Sequence, residues 1–100
     1  MIFVVLAKDR PGALDLRLAN IDAHRAYLAE HQHPVETLLS GPLLAEGDES
    51  MVGSFFMVEA ESRAAVEAWQ ADDPLKAIDL WESVTIEVFL KRVDNLSPAS

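Results

Sequence analysis

The chain has 100 residues, half of them hydrophobic and a quarter charged, which is the composition of one globular domain and not of a disordered segment. Eight Lys and Arg against 17 Asp and Glu give a net charge of −9, so nucleic acid and anionic membrane surfaces are poor partners. The absence of cysteine excludes disulfides and thiolate catalysis. We expect a cytoplasmic protein, because no segment resembles a secretory signal or a membrane span.

The chain is predicted to begin with a strand followed by a long helix. Residues 2–7 are apolar at every position and rich in β-branched side chains, which is typical of a strand buried on both faces. From residue 13 to about residue 32 the spacing of apolar residues becomes helical. The apolar face of this helix is predicted to consist of Leu14, Leu18, Ile21 and Leu28.

A second strand with an irregular middle is expected after Pro34, which ends the helix. This strand covers residues 35–44 and contains Gly41 and Pro42. Because proline cannot donate a hydrogen bond to a neighbouring strand, the pattern predicts a sheet edge, a bulge or a strand end here. A third strand follows over residues 52–59, again apolar on both faces.

The rest of the chain is predicted to add one helix and one strand. Ser62 is a suitable N-cap for a helix over residues 63–72, and residues 83–92 alternate between apolar and polar side chains as a strand does. The resulting β-α-β-β-α-β order predicts an α+β, ferredoxin-like fold with a four-stranded antiparallel sheet and the helices on one face. We expect one domain over residues 1–94 and a tail over residues 95–100.

Helices on one face of the sheet leave the other face uncovered. Because the first and third strands are apolar on both faces, a monomer would expose a contiguous apolar patch, and we therefore predict a homodimer that packs sheet to sheet. The third strand offers two candidate sets for the interface, Phe55 with Met57 or Phe56 with Val58.

Histidines on the first helix are candidate catalytic residues. Arg17, His24 and His31 are seven residues apart and form one stripe beside the predicted apolar face. His24 lies at the border of the core, where a histidine either forms a structural hydrogen bond or serves as a general base at the edge of a pocket. His24 and His31 are about 10 Å apart along the helix axis, too far to share one ion, and no metal or cofactor is expected.

Two further segments combine a structural and a functional interpretation. Asp73 precedes Pro74, and this pair is the expected N-cap and first residue of a short helix, although the carboxylate could also serve a site. Ser40, Gly41 and Pro42 could expose a hydroxyl and backbone amides to a cavity, or could simply form a bulge.

Three segments, in this order, resemble the YciI-like (YCII-related) family, and the resemblance covers nearly the whole chain. They are RLANIDAHRAYL over residues 17–28, LSGPL over residues 39–43 and ADDP over residues 71–74. The resemblance implies a dimeric ferredoxin-like α+β fold, related to the α+β barrel dimers, and a cleft with a His–Asp dyad that falls on His24 and Asp73. The Gly-Pro pair of the family falls on Gly41 and Pro42, with Ser40 beside it.

The chain departs from the family pattern at two positions. Ile21 stands where members often carry an arginine, and Leu75 stands where an aromatic residue often follows Asp-Pro. Arg17, one turn before Ile21, is then the candidate for contacting an anionic substrate. One enzymatic example in the family is a dehydrochlorinase of a chlorinated hydroxyhydroquinone.

The resemblance favours a small, cofactor-independent lyase, isomerase or dehydrochlorinase. In this hypothesis Asp73 fixes the imidazole of His24, which removes a proton from a small organic substrate contacted by Arg17, Ser40, Gly41 and Pro42. One alternative is a dimeric module that binds or senses a small molecule without turnover. Another is a structural dimerisation domain in which His24 forms a core hydrogen bond and Asp73 is only a helix cap.

Overall fold

The computed structural model describes residues 1–96, and residues 97–100 of the predicted tail lie outside the described part. The elements in chain order are β1 (Ile2–Asp9), α1 (Leu14–Glu30), β2 (Glu36–Leu44), β3 (Met51–Glu59), α2 (Arg63–Ala71), α3 (Pro74–Ala77) and β4 (Trp81–Phe89). This order confirms the predicted ferredoxin-like fold, with α3 as a short additional helix. None of the helices within residues 1–96 is long and apolar enough to cross a bilayer.

The four strands form one antiparallel sheet in the order β2-β3-β1-β4. The two inner strands, β3 and β1, are therefore those with the most apolar sequences. Strand β2 lies at an edge, which confirms the placement predicted from Pro42. Its pairing with β3 is irregular between Thr37 and Leu39 and again between Leu43 and Leu44.

The helices cover one of the two faces of the sheet and leave the other open. Phe3, Val5 and Ala7 of β1 are buried beneath the helices, and Phe56 and Val58 of β3 pair with the first two of these on the same face. Side chains from α2 and α3 complete this core, which contains Val66, Trp69 and Leu75. The intervening residues of β1 and β3 point to the opposite, open face.

The open face carries one of the two predicted interface sets. Phe55 and Met57 lie there opposite Leu6 and Val4, and all four are only partly covered. Leu6 is 37% exposed although it lies on a central strand. Phe56 and Val58, the other set, are core residues.

The predicted apolar face of α1 is confirmed in part, since Leu14, Ile21 and Leu28 are partly buried and Leu28 packs against the core. Leu18 is 50% exposed, whereas the two buried residues of the helix are Arg17 and His24. Helical spacing reveals which residues share a face but not which face turns inward. Here Arg17 and His24 of the polar stripe also turn inward, because both side chains find hydrogen-bond partners inside the molecule, whereas His31 is exposed.

The helix caps agree with the sequence, but the last strand is displaced. Ser62 caps α2 by accepting a hydrogen bond from the backbone of Ala65. Strand β4 covers Trp81–Phe89 instead of the predicted 83–92. Its end is set by β1, because Ile2, the first residue of β1, pairs with Phe89 and leaves the next residues without a neighbouring strand.

Candidate active site

A cavity of about 220 Å³ lies between α1 and the β2–β3 edge of the sheet. Five residues predicted as site residues line it: Arg17, His24, Ser40, Gly41 and Pro42. Apolar side chains, including that of Phe56, form much of the remaining wall. The fold thus brings one face of α1 and an irregular edge strand together around a space suited to a single small ring.

The imidazole of His24 connects the cavity to a buried carboxylate. His24 Nδ1 lies 2.9 Å from Oδ1 and 2.8 Å from Oδ2 of Asp73, and both side chains are buried. Because a carboxylate only accepts hydrogen bonds, Nδ1 carries the proton and Nε2 of the neutral ring keeps a lone pair. Among residues 1–96 no hydrogen-bond partner occupies Nε2, and the ring lines the cavity, so this lone pair is available to a bound molecule.

Aromatic rings hold the imidazole in one orientation. The ring of Phe56 meets that of His24 edge to face at a centroid distance of 5.8 Å, and the ring of Trp81 does so at 6.4 Å. Since all three side chains are buried, rotation of the imidazole would displace core residues. The position of Nε2 is therefore fixed by packing as well as by the carboxylate.

Asp73 is at once a helix cap and the partner of His24. It occupies the N-cap position of α3, where Oδ1 accepts a hydrogen bond of 2.9 Å from the backbone N–H of Leu75, and Pro74 follows as the first helical residue. The predicted cap is confirmed, and the predicted contact with His24 exists in the same structure. Asp73 supports the imidazole from the side away from the cavity, whose lining does not include it.

Arg17 lies at the other end of the cavity in a buried ion pair. Its Nε and Nη2 donate to the two carboxylate oxygens of Asp9 at 2.6 and 2.8 Å, and Nη2 also donates to the hydroxyl of Ser54 at 2.8 Å. Arg17 is 1% exposed, and a buried cation of this kind requires a buried anionic partner.

Asp9 and Ser54 were missed by the sequence analysis. Asp9 adjoins the Pro-Gly pair that follows β1, where an aspartate is typical of a turn, and Ser54 lies in a mostly apolar strand. The signal that could have identified Asp9 is the need of a buried arginine for a carboxylate, but Arg17 was predicted to lie beside the core. Ser54 carries no comparable signal.

The segment Ser40-Gly41-Pro42 forms the β2 wall of the cavity. Ser40 pairs with Phe56 and Pro42 with Ser54, so both lie on the helix-covered face of the sheet edge. No atom lies within 4 Å of the position that a Cβ of Gly41 would occupy, so a close approach does not require glycine here. Arg25 is exposed and contributes to the cavity wall from α1.

Tyr27 of α1 lies near the carboxylates of Asp72 and Asp73. The hydroxyl of Tyr27 donates a 2.6 Å hydrogen bond to the backbone oxygen of Trp69. Burial, and then the carboxylates of Asp72 and Asp73, raise the pKa of Tyr27 above its ordinary value.

Within residues 1–96 no group of three or more His, Asp or Glu side chains is placed to hold a metal ion.

Comparison with known proteins finds a family model and related proteins that match most of this chain. A family model described as "YCII-related domain" matches residues 1–90. Protein YciI of Escherichia coli O6:H1 is 32% identical over 96 residues, which cover 91% of this chain and 98% of that protein.

Solved structures show the same fold. A 5-chloro-2-hydroxyhydroquinone dehydrochlorinase from Burkholderia phenoliruptrix AC1100, in complex with 2,5-dihydroxybenzoquinone, superposes with a TM-score of 0.82 at 35% identity, covering 90% of this chain and 94% of that chain. An uncharacterised NIPSNAP domain protein from Burkholderia xenovorans gives a TM-score of 0.51 at 12% identity, covering 96% and 97% of the two chains. The second likeness concerns the fold alone.

Proposed function

Because this chain belongs to the YCII-related family, we propose that it is a small enzyme that removes a proton from a hydroxylated ring compound and eliminates a leaving group such as chloride. His24 Nε2 is the general base, and Asp73 fixes the tautomer and stabilises the imidazolium. The observation that carries the proposal is that one imidazole contacts the Asp73 carboxylate through Nδ1 and faces the cavity.

The elimination balances without an external oxidant. A proton passes from one ring hydroxyl to the ring carbon that bears chlorine, which gives a keto tautomer. Nε2 then removes the proton of a second hydroxyl, that C–O bond becomes a carbonyl, and the electron pair expels chloride. The sum is loss of HCl from a chlorinated hydroxyhydroquinone to give a hydroxyquinone, and a single base that receives and returns protons serves both steps.

The size of the cavity and the similarity of the chain to the dehydrochlorinase support this substrate class. A single six-membered ring suits a space of about 220 Å³, and the neighbouring dehydrochlorinase was solved with such a ring compound bound. Arg17 supplies positive charge at the far end of the cavity, and the hydroxyl of Ser40 supplies a hydrogen-bonding group on the β2 wall, while Gly41 and Pro42 shape that wall. No metal or cofactor enters this mechanism.

The proposed enzyme is a homodimer that packs through the open face of the sheet. Leu6, Phe55 and Met57 form an apolar surface there that neither α1 nor α2 covers. A second copy of the chain would cover it, and a contiguous apolar patch of this kind is uncommon on monomers.

Chloride release from 5-chloro-2-hydroxyhydroquinone tests the proposal. We expect turnover by the wild-type protein and a loss of about 10²- to 10⁴-fold in His24→Gln, with a comparable loss in Asp73→Asn. The double variant should lose little more than the worse single variant, because the two residues act as one unit. His31→Gln is the matched control, since His31 lies seven residues after His24, at the C-cap of α1, and is exposed.

Two outcomes would contradict the proposed function. Chloride release at the uncatalysed rate, together with saturable binding of 2,5-dihydroxybenzoquinone, would assign the cavity to a binding module without turnover. Equal turnover by wild type and His24→Gln would remove His24 from the mechanism.

A further inference from the structure

Ser54 holds a buried hydroxyl that the mechanism above does not use. It is 2% exposed, lies on β3 two residues before Phe56 and therefore on the same face, and lines the cavity. Its oxygen accepts a 2.8 Å hydrogen bond from Nη2 of Arg17. Asp9 in turn holds the guanidinium through two hydrogen bonds.

The hydrogen bonds of Ser54 leave its proton without an acceptor. A serine hydroxyl has one proton to donate, and the bond with Arg17 uses only the oxygen as acceptor. In the described part of the chain no other side chain or backbone oxygen bonds to this hydroxyl. A buried donor without a partner is costly, and the cavity that Ser54 lines is where an acceptor can be supplied.

Arg17 also makes this hydroxyl a stronger donor. A hydroxyl whose oxygen accepts a hydrogen bond donates its own proton more strongly, because successive hydrogen bonds polarise one another. The guanidinium is charged, and Asp9 holds it in place through a bidentate contact. The cluster therefore presents a polarised O–H group backed by positive charge, which suits an oxygen that gains negative charge.

The two ends of the cavity are separated by a distance that a ring can span. Arg17 and His24 lie on one face of α1, two turns or about 10 Å apart along the axis. Ser54, bonded to Arg17, belongs to the Arg17 end. A six-membered ring with oxygens at opposite positions can reach both ends with one hydrogen bond each.

We propose that Ser54 is a substrate-binding residue, positioned by Asp9 and Arg17, which donates a hydrogen bond to the ring oxygen opposite the hydroxyl that His24 deprotonates. This inference rests on the proposed function and narrows its substrates to single rings with oxygen at opposite positions. If the cluster served only to tie α1 to β1 and β3, Ser54 would affect stability but would not discriminate between ligands.

Two phenols of matched size test this inference by equilibrium binding. In para-methoxyphenol an acceptor oxygen stands opposite the hydroxyl, and in para-ethylphenol a CH₂ group replaces that oxygen. We expect the wild-type protein, titrated by NMR, to bind the methoxy compound about two- to tenfold more tightly, as one additional neutral hydrogen bond would give.

Variants assign the preference to one side chain. Ser54→Ala should bind both phenols with equal affinity, and so should Ser54→Cys, which keeps the size but is a weak donor. Ser83→Ala, which removes a serine on β4 outside the cavity lining, should keep the wild-type ratio. The measurement on the wild-type protein stands whether or not a Ser54 variant folds.

The opposing results are equal affinities in the wild-type protein, a preference that persists in folded Ser54→Ala, or binding of neither phenol, and each overturns the inference. Chloride release reports on the proposed function, whereas these titrations need no turnover. A protein that discriminates between the phenols but releases no chloride would contradict the proposed function and leave the role of Ser54 intact.

Discussion

Asp73→Ala removes two hydrogen bonds with one substitution, and their energies can be separated by a double-mutant cycle. The lost cap of α3 costs about 1 kcal/mol. The Nδ1–H of His24, which is buried, loses its acceptor as well, and an unsatisfied buried donor costs about 1–3 kcal/mol. We therefore expect Asp73→Ala to lower the free energy of unfolding by about 2–4 kcal/mol in the wild-type background.

The same substitution should cost less when His24 is already replaced. In His24→Leu the carboxylate keeps only its bond to the backbone of Leu75, so Asp73→Ala should cost about 1 kcal/mol or less. The difference between the two backgrounds, about 1–3 kcal/mol, is the coupling between the two side chains.

Urea unfolding followed by tryptophan fluorescence measures all four proteins, since both tryptophans are buried. The proteins must be compared at one concentration, because unfolding of an associating protein depends on it. Equal losses in the two backgrounds would refute the reasoning and leave Asp73 as a helix cap without an energetic link to His24.

Two further predictions concern the helix layer and the open face. Tyr27 is the only tyrosine, so the absorbance of tyrosinate should titrate with a midpoint above 10.0. The contribution of the protonated Tyr27 to stability is complete below the unfolded-state pKa. It is lost as pH rises through the raised folded-state pKa. A midpoint at or below 10.0, or a loss of stability at high pH that persists unchanged in Tyr27→Phe, contradicts the burial argument. The wild-type chain should sediment as a dimer at micromolar concentration, and Phe55→Asp should sediment as an 11.0 kDa monomer. Leu18→Asp, on the exposed side of α1, is the control and should remain a dimer. A monomeric wild type would contradict the proposed interface.

The sequence predicted the order of the elements because their patterns are local. Strands β1 and β3 are continuous apolar runs, and Pro42 and the pair Asp73-Pro74 restrict the backbone wherever they occur. The ends of β4 were misjudged because they depend on where β1 begins, which is a long-range property of the sheet.

Only part of the site could be predicted, because several of its contacts are also long-range. The pairing of His24 with Asp73 was implied only by the family resemblance of two separate segments, because 48 residues lie between them along the chain. Hydrophobicity identified only part of the inward face of α1, because Arg17 also lies there. Its burial depends on Asp9, a partner that only the fold brings near. A serine such as Ser54 acquires its significance from Arg17 and from the cavity.

The cap formed by Asp73 limits what an Asp-Pro pair in a related sequence says about activity. Selection for a well-formed α3 is enough to keep an Asp-Pro pair, since the carboxylate binds the backbone of Leu75 whether or not chemistry takes place. A descendant that has lost activity can therefore retain the aspartate while its histidine drifts. For assigning activity to such a sequence, a histidine at the position of His24 is the informative character, and the Asp-Pro pair alone indicates only that a helix begins there.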